Sequence, residues 1–487
     1  MGSWVVMATK GQPVYVLWFL GALFFCVVLS GCASYHPRIL VPSVTAASFE
    51  ARRLDNPRLK TLLSHYHRPP KRWPKQHWGL SDLVLVALYE SPELAVQRAQ
   101  WQIARAQVIT AGQRPNPRIS LFSEHHSMGF NGFLPWTFGF SLDIPIETAG
   151  KRGDRIQQAR DLASAARFEV GESAWRVRAR VRQRFLDLFM AIERVNLLED
   201  EVAVRHQIVV RVSQRVMAGE SATLALNRVQ LNLQRTQLAL ATAEMHAATT
   251  RVVLAQALGL PMKAVADTHF DFARLETLPT LQNLHTKAMQ KMALLHRLDI
   301  RRALAHYAAA EAALKLQIAN QYPNIHLGPG YEWEEGDSRW GLGLMSMSLP
   351  LLNQNQGPIA VAKARVGEEA AHFFALQARV IGQVSRAVVN YRGALQTFQT
   401  AQALFTNQRH YHRMLDQQFA VGAIGSVSRL AGCLTSLVAA QRRLVALYQA
   451  QQALGVLENA LQRPLAGHAS VTYTRQTFLS DGTRVCP

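Results

Sequence analysis

The chain is poor in cysteine and in acid. Its four cysteines, Cys26, Cys32, Cys433 and Cys486, form neither a CxxC pair nor a disulfide framework, which excludes a disulfide-stapled scaffold. Asp+Glu number 33 against 53 Lys+Arg, a formal net charge of +20 over 487 residues. The arginines run along most of the chain instead of gathering in one patch. Neither a zinc-ligand spacing nor an aromatic RNA-binding motif accompanies them, so nucleic acid is not an expected partner. Phosphate-bearing lipid and a solvated basic helix surface both fit the charge. No P-loop, dinucleotide fingerprint, zinc-protease helix or nucleophile elbow occurs. The chain is therefore expected not to be an enzyme, to hold no cofactor, and to depend on a partner for energy. Histidines occur at His65, His67 and His77, at His125-His126, and at His410 with His412. Two histidines on a loop do not make a metal site, and no metal is assigned.

What is present begins with an address. Val14 to Leu29 is almost continuously apolar, the length of a signal-peptide core and short for a membrane span. Lys10 precedes it, and Met7 is an alternative start to Met1. Leu29-Ser30-Gly31-Cys32 follows at once, the bacterial lipoprotein cleavage box, in which the Cys32 thiol takes the lipid and becomes the new N-terminus. Ala33 stands where an Asp would retain the protein at the inner membrane, so the outer membrane is the expected location.

The mature chain reads as a duplication. Arg114-Pro115-Asn116-Pro117 recurs at Tyr322-Pro323-Asn324, and Leu142-Asp143-Ile144-Pro145-Ile146 at Met347-Ser348-Leu349-Pro350-Leu351. Gly150–Arg160 recurs at Gly357–Arg365, Val216–Gly219 at Phe419–Gly422, and Ala257–Pro261 at Ala460–Pro464. Five landmarks in one order, within a few residues of 205 apart, mark two tandem copies. The expected organisation is a signal peptide (1–31), an N-terminal periplasmic or equatorial segment (32–80), a first repeat (81–260), a linker (261–283), a second repeat (284–463) and a tail (464–487).

Each copy opens with a helix, about Ser81–Gly112 and Leu284–Asn320, stopped by a Pro-Asn element. A strand pair follows, about 118–146 and 324–349. Trp136–Ile144 alternates large apolar with small or polar residues, giving one lipid-facing and one wet side. Trp136, Tyr331, Trp333 and Trp340 sit near strand ends, where an interfacial aromatic girdle belongs. A long helical hairpin then occupies about 154–258 and 357–461. No proline interrupts Asp154–Met217. Val181, Phe185, Leu188, Ile192 and Val195 make a coiled-coil seam, while Leu224/Leu231/Leu238 and Leu226/Leu233/Leu240 form two offset heptad stripes, as in a packed cylinder of helices. The fold class is mainly α with a small membrane β part.

Four strands cannot close a barrel, and eight leave no lumen. Three copies give twelve, so a conducting form is expected to be a homotrimer, with the helices continuing the barrel as a periplasmic tube. Residues before Ser81, around Thr277–Thr280 and after Pro464 are expected to form a belt around it.

These residues resemble the TolC-like outer membrane factors, and within them the CzcC-like components of heavy-metal efflux. The resemblance rests on Arg114-Pro115-Asn116-Pro117, on Ile144-Pro145-Ile146-Glu147 leading to Gly150-Lys151-Arg152-Gly153, and on Leu349–Gly357. It implies a trimeric twelve-stranded barrel on an α-helical tube, a periplasmic adaptor, and an inner-membrane pump of the resistance-nodulation-division class. It also implies adaptor docking at the hairpin tips Ala218-Gly219-Glu220 and Val421-Gly422-Ala423. Family members carry aspartates past the second tip. Here Ser428 and Ala431 stand there, so an acidic ring is not expected at that depth, and Ser428, Arg429 and Asp416 are the candidate entrance residues. The leading reading is an exit duct for metal cations. A duct for drugs, small organic molecules or secreted polypeptide, and a non-conducting periplasmic coiled-coil lipoprotein, are the alternatives.

Overall fold

Residues 34–66, 73–125, 136–279, 285–334 and 337–465 are described by a computed structural model, which divides into two units, Met1–Ala51 and Arg52–Pro487. Cys32, His67 and His126 lie outside the described residues. In the first unit residues 34–41 lead into α1 (Pro42–Glu50), whose proline sits in the first turn, where a missing N–H costs nothing. None of its residues is buried.

The second unit is built twice. After α2 (Pro57–Tyr66) and the short β1 (His77–Gly79), the first copy runs α3 (Leu80–Glu90), α4 (Pro92–Ala111), β2 (Arg118–His125), β3 (Trp136–Ile146), α5 (Lys151–Met217) and α6 (Thr223–Leu258). A linker carries β4 (His269–Asp271). The second copy runs α7 (Thr286–His296), α8 (Leu298–Ala319), β5 (Ile325–Glu334), β6 (Asp337–Met347), α9 (Gln356–Ala420) and α10 (Ser426–Leu461).

The opening helix of each copy, expected as one piece, is two. In the first copy Ser91 adopts extended angles, its hydroxyl accepts from the Leu94 N–H at 3.3 Å, and Pro92 starts the new helix. In the second copy the break falls at Arg297, also extended. Its buried guanidinium reaches Asp299 at 2.6 Å and the Ala460 carbonyl at 2.7 Å. Both breaks let a short helix pack into the waist before the chain turns toward the sheet.

The backbone repeats as closely as the sequence. Gly150 and Asn355, the N-caps of α5 and α9, both have positive φ, 75° and 64°. Gly219 and Gly422 repeat this at the hairpin tips, with φ of 74° and 76°. Gly259 and Gln462 do so past α6 and α10. The Gly150 match therefore falls on Asn355 and not on Gly357. Gln462 takes the strained conformation without being glycine, and its side-chain oxygen accepts the Leu298 N–H at 2.7 Å. At Gly259 a Cβ would lie 2.9 Å from the Glu90 carbonyl oxygen, so only glycine fits.

At 1.5 Å per residue, α5 and α9 (67 and 65 residues) extend about 100 Å, and α6 and α10 (36 each) about 54 Å. α5 meets α4 and α8 over its sheet-side part, as far as Arg180 with Glu93, meets α10 from Trp175 onward, and packs on α6 as well. Contacts between α5 and α10 run antiparallel, from Trp175 with Asn459 through Arg182 with Gln451 and Tyr448 with Asp187 to Gln441 with Glu201. This ladder joins the repeats.

Apolar cores fill the waist, one per copy. The first gathers Leu83, Val86, Val181, Phe185, Leu188 and Leu254, with Phe270 and Phe272 from the linker against it. The second gathers Met289, Ile300, Val384, Val388, Tyr391 and Leu457. The Val181–Phe185–Leu188 seam is thus buried within the chain. Of the two heptad stripes on α6, Leu226, Leu233 and Leu240 are half-buried. Leu224, Leu231 and Leu238 stay exposed at 78%, 54% and 71%.

Candidate functional site

The four long strands form one antiparallel sheet in the order β2-β3-β5-β6. The two hairpins are thus joined β3 to β5, and the outer edges of β2 and β6 carry no partner among the described residues.

Register sorts the side chains into two faces. Ile119 lies opposite Leu142, Leu121 opposite Phe140, Phe140 opposite Tyr331, and Tyr331 opposite Trp340. Ile144 with Leu327, and Leu327 with Leu344, continue the same face toward the helices. It is apolar across all four strands, and much of it is bare, with Leu121 79% and Leu342 83% exposed. A water-soluble sheet would cover such a surface. The opposite face carries Arg118, Ser120 and Glu124, then Thr137, Ser141 and Asp143, then His326 and Glu332, with Gly328, Gly330, Gly341 and Gly343 between them. Eleven residues of β3 rise about 36 Å. A strand tilt of about 40° brings this near the roughly 25 Å apolar band of an outer-membrane barrel.

The aromatic residues expected as a girdle fall together. Trp136 stacks on Phe138 at 5.8 Å and Phe138 on Trp333 at 6.2 Å. Tyr331 meets Trp340 at 4.7 Å and Phe140 at 5.7 Å. All belong to the apolar face: Trp136, Phe138 and Trp333 lie toward the hairpin turns, Phe140, Tyr331 and Trp340 near mid-strand, and the helix-proximal end is aliphatic. On the polar face Phe122 covers Gly139, where a Cβ would fall within its ring. Nearer the helices, Asp143 sits opposite Arg118 and holds the His326 imidazole at 2.9 Å.

The joint between sheet and helices is fixed by side chains on backbone carbonyls. Thr148 donates to the Pro323 carbonyl at 2.6 Å, and the Lys151 ammonium to Tyr322 O and Asn324 Oδ1, both at 2.6 Å. Burial pulls the Lys151 ammonium pKa down, with Glu147 opposing. Arg155 pairs with Glu147 and donates to the Ala111 carbonyl at the end of α4 and to the Gln113 carbonyl just past it. Residues 147–155 and 322–324 thus fix the helix-side ends of β3 and β5 to the first turn of α5.

At the far end the two tips lie side by side, with the Arg215 guanidinium against Gly425. Each tip closes in the same way. Gly219 N–H donates to Val216 O at 3.0 Å and Glu220 N–H to Arg215 O at 2.8 Å; Gly422 and Ala423 repeat this onto Phe419 and Gln418. This is a left-handed cap that satisfies the last helical carbonyls. No atom lies within 4 Å of where a Cβ would stand on either glycine, so the turn, and not crowding, calls for glycine. Ala218, Gly219, Glu220, Val421, Gly422 and Ala423 are all exposed.

Of the entrance candidates, Ser428 is exposed, whereas Arg429 reaches back across the hairpin. Its guanidinium lies 3.5 Å from Asp416 and 5.0 Å from the Phe419 ring, and His412 approaches Asp416 at 3.6 Å.

Two features escaped the sequence. One is the parallel β1–β4 pair that ties the N-terminal segment to the linker; three-residue strands carry no readable period. The other is a buried polar lock at the waist. Arg178 and Arg182 lie 3.1 and 3.5 Å from one Glu458 oxygen, and Arg182 donates to both oxygens of Gln451 at 2.9 Å. Gln451 in turn donates to Leu275 O at 2.6 Å, and Glu458 accepts from Leu465 N–H at 2.9 Å. The lock joins both repeats, the linker and the chain after α10.

Comparison with known proteins adds three findings. Residues 83–260 and 290–463 match the profile of a family described as outer membrane efflux protein. The cobalt-zinc-cadmium resistance protein CzcC of Cupriavidus metallidurans is 23% identical over 256 residues, 52% of this chain and 57% of that protein; the match thus spans little more than half the relative's length. Among solved structures, the CmeC outer membrane channel of Campylobacter jejuni superposes with a TM-score of 0.64 at 16% identity, covering 93% of this chain and all of that one. CusC superposes with a TM-score of 0.61 at 17% identity, covering 78% and 91%.

Proposed function

The chain belongs to the outer membrane efflux protein family, and we propose on that footing that it is the outer-membrane exit duct of a tripartite efflux system. The observation that carries this reading is the sheet: apolar on one face, polar on the other, about one membrane deep, and open at both edges. An open edge in hydrocarbon strands unpaired N–H and C=O groups, so β2 of one copy must pair with β6 of another. Three copies give twelve strands and the smallest closed barrel that keeps a lumen. The exposed Leu224–Leu231–Leu238 stripe of α6 supplies a second contact for a neighbouring copy. The homotrimer so formed continues from barrel to helical tube through the joint at Lys151 and Arg155.

In this reading the exposed tips at Gly219 and Gly422 meet a periplasmic adaptor, which links the duct to an inner-membrane pump of the resistance-nodulation-division type. Arg429 and Asp416 neutralise each other across the hairpin, so the entrance carries no bare acidic ring. The cargo is heavy-metal cations, a reading supported by the likeness to a cobalt-zinc-cadmium resistance protein. Lipid on Cys32 adds an anchor to a trimer that the outer membrane already holds.

Edge cross-linking tests the assembly. Ser120→Cys on β2, combined in turn with Gly341→Cys, Gly343→Cys and Ser346→Cys on β6, yields oxidised trimers for at least one pair. Ladders that stop at dimers overturn the twelve-stranded closure. For the cargo, deletion lowers tolerance to cobalt, zinc or cadmium and leaves drug tolerance unchanged; the reverse pattern overturns the metal reading. A Cys32→Ala variant loses the lipid mass.

A further inference from the structure

The parallel pairing of β1 with β4 sets His77 directly opposite His269. The central residues of the two strands, Trp78 and Phe270, turn into the waist core. Alternation then sends both imidazoles out together on the opposite face. Both are exposed. Their ring centroids stand 6.0 Å apart with the planes tilted by 45°. Neither ring has a hydrogen-bond or ion-pair partner among the described residues. Lys75, two residues before His77, is paired with Asp82.

We propose that His77 and His269 form a two-imidazole site for a borderline divalent transition-metal cation, with waters filling the remaining positions. Two imidazole nitrogens on one tetrahedral ion lie about 3.4 Å apart, because each metal–nitrogen bond is about 2.0–2.1 Å. Ring nitrogens sit roughly 1 Å from their centroids, so at this separation two nitrogens turned toward each other come to about 4 Å, and side-chain rotation closes the rest. No cluster of three or more His, Cys, Asp or Glu with ligand geometry occurs among the described residues. The protein therefore supplies two ligands. Two neutral nitrogens favour copper(II) over nickel(II) and zinc over calcium or magnesium. One ligand comes from the segment before the first repeat and the other from the linker between repeats. A bound ion thus staples the two at the β1–β4 pairing, one ion per chain. This site lies on the outer face of a sheet at the waist and does not depend on what passes through the duct.

The test titrates copper(II) and, separately, zinc(II) into the detergent-solubilised full-length protein by calorimetry, with hydrogen exchange followed over 77–79 and 269–271. The variants are His77→Ala, His269→Ala and, as a control, the exposed His410→Ala. The expected result is one copper per chain in the wild type and in His410→Ala, with affinity lower on the order of 100-fold in either strand variant. Metal also slows exchange in both strands of the wild type and in neither strand variant. Binding that survives both substitutions, that fails in only one of them, or that leaves exchange in the two strands unchanged overturns the proposal. Equal thermal stability of the variants without metal shows that lost binding is not lost folding.

Discussion

The alternation of the sheet predicts opposite outcomes for neighbouring arginine substitutions. Phe140 is the fifth of the eleven residues of β3, on the apolar face, paired with Leu121 and Tyr331. Ser141, its neighbour, lies on the polar face between Ser120 and Gly330. An arginine facing lipid near the bilayer midplane costs roughly 2–4 kcal/mol, and three copies raise this to about 6–12 kcal/mol per trimer. Phe140→Arg also loses the ring contacts with Tyr331 and Trp340, about 0.5–1.5 kcal/mol each; Phe140→Ala isolates that part. Ser141→Arg projects into water and changes stability by about 0.5 kcal/mol or less. The assay is urea denaturation of trimers folded into vesicles, followed by tryptophan fluorescence and by resistance to dissociation in detergent. Phe140→Arg abolishes or strongly weakens the trimer, Phe140→Ala weakens it moderately, and Ser141→Arg leaves it intact. Equal losses at 140 and 141 would refute the face assignment and, with it, the membrane reading of the sheet.

At the waist, Glu458→Gln leaves Arg178 and the buried Arg182 without a counter-charge and lowers stability by about 3–5 kcal/mol, read as a fall in urea midpoint. The apolar triple Arg178→Met, Arg182→Met, Glu458→Leu recovers most of it, and a neutral single variant counts against the lock. Burial pushes the Glu172 carboxyl up to about 7, with Arg302 opposing. An acid that holds its proton more tightly when folded makes stability fall as pH rises from about 4.5 to about 7, with no further change above that. Glu172→Gln is therefore more stable than wild type by on the order of 1–3 kcal/mol at pH 8, and equal to it near pH 4. Melting curves across that range check the sign. Gly219→Val and Gly422→Val meet no steric clash and pay only for positive φ, about 1–2 kcal/mol each. Hydrogen exchange rises at the tips alone, the overall melting point holds, and adaptor binding weakens.

Much of this fold was legible because its signals are long or periodic. The proline-free run to Met217, closed by Gly219, reads directly as a helix ending in a left-handed cap. Trp136–Ile144 shows its two faces without a partner strand, whereas β6, rich in Gly and Ser, shows them only once Tyr331 and Trp340 are seen to pair. The helix break at Ser91-Pro92 carried a signal, a capping hydroxyl before a proline at the first helical position. The break at Arg297 carried none, since burial against Ala460 causes it. The α5–α10 ladder, the Arg182–Glu458 lock and the His77–His269 pair join residues more than 180 positions apart, and no local pattern encodes such a register. The duplication predicts that Gln462 replaces Gly259; that it keeps the same strained backbone is visible only through its bond to Leu298.

Single-channel recording from purified trimers in planar bilayers tests the central claim most directly. The account predicts discrete conductance steps that require the trimer and that change in ion selectivity when polar-face charges such as Glu332 are neutralised. Folded, membrane-inserted trimers that pass no current, or steps of the same size from monomers, would contradict it.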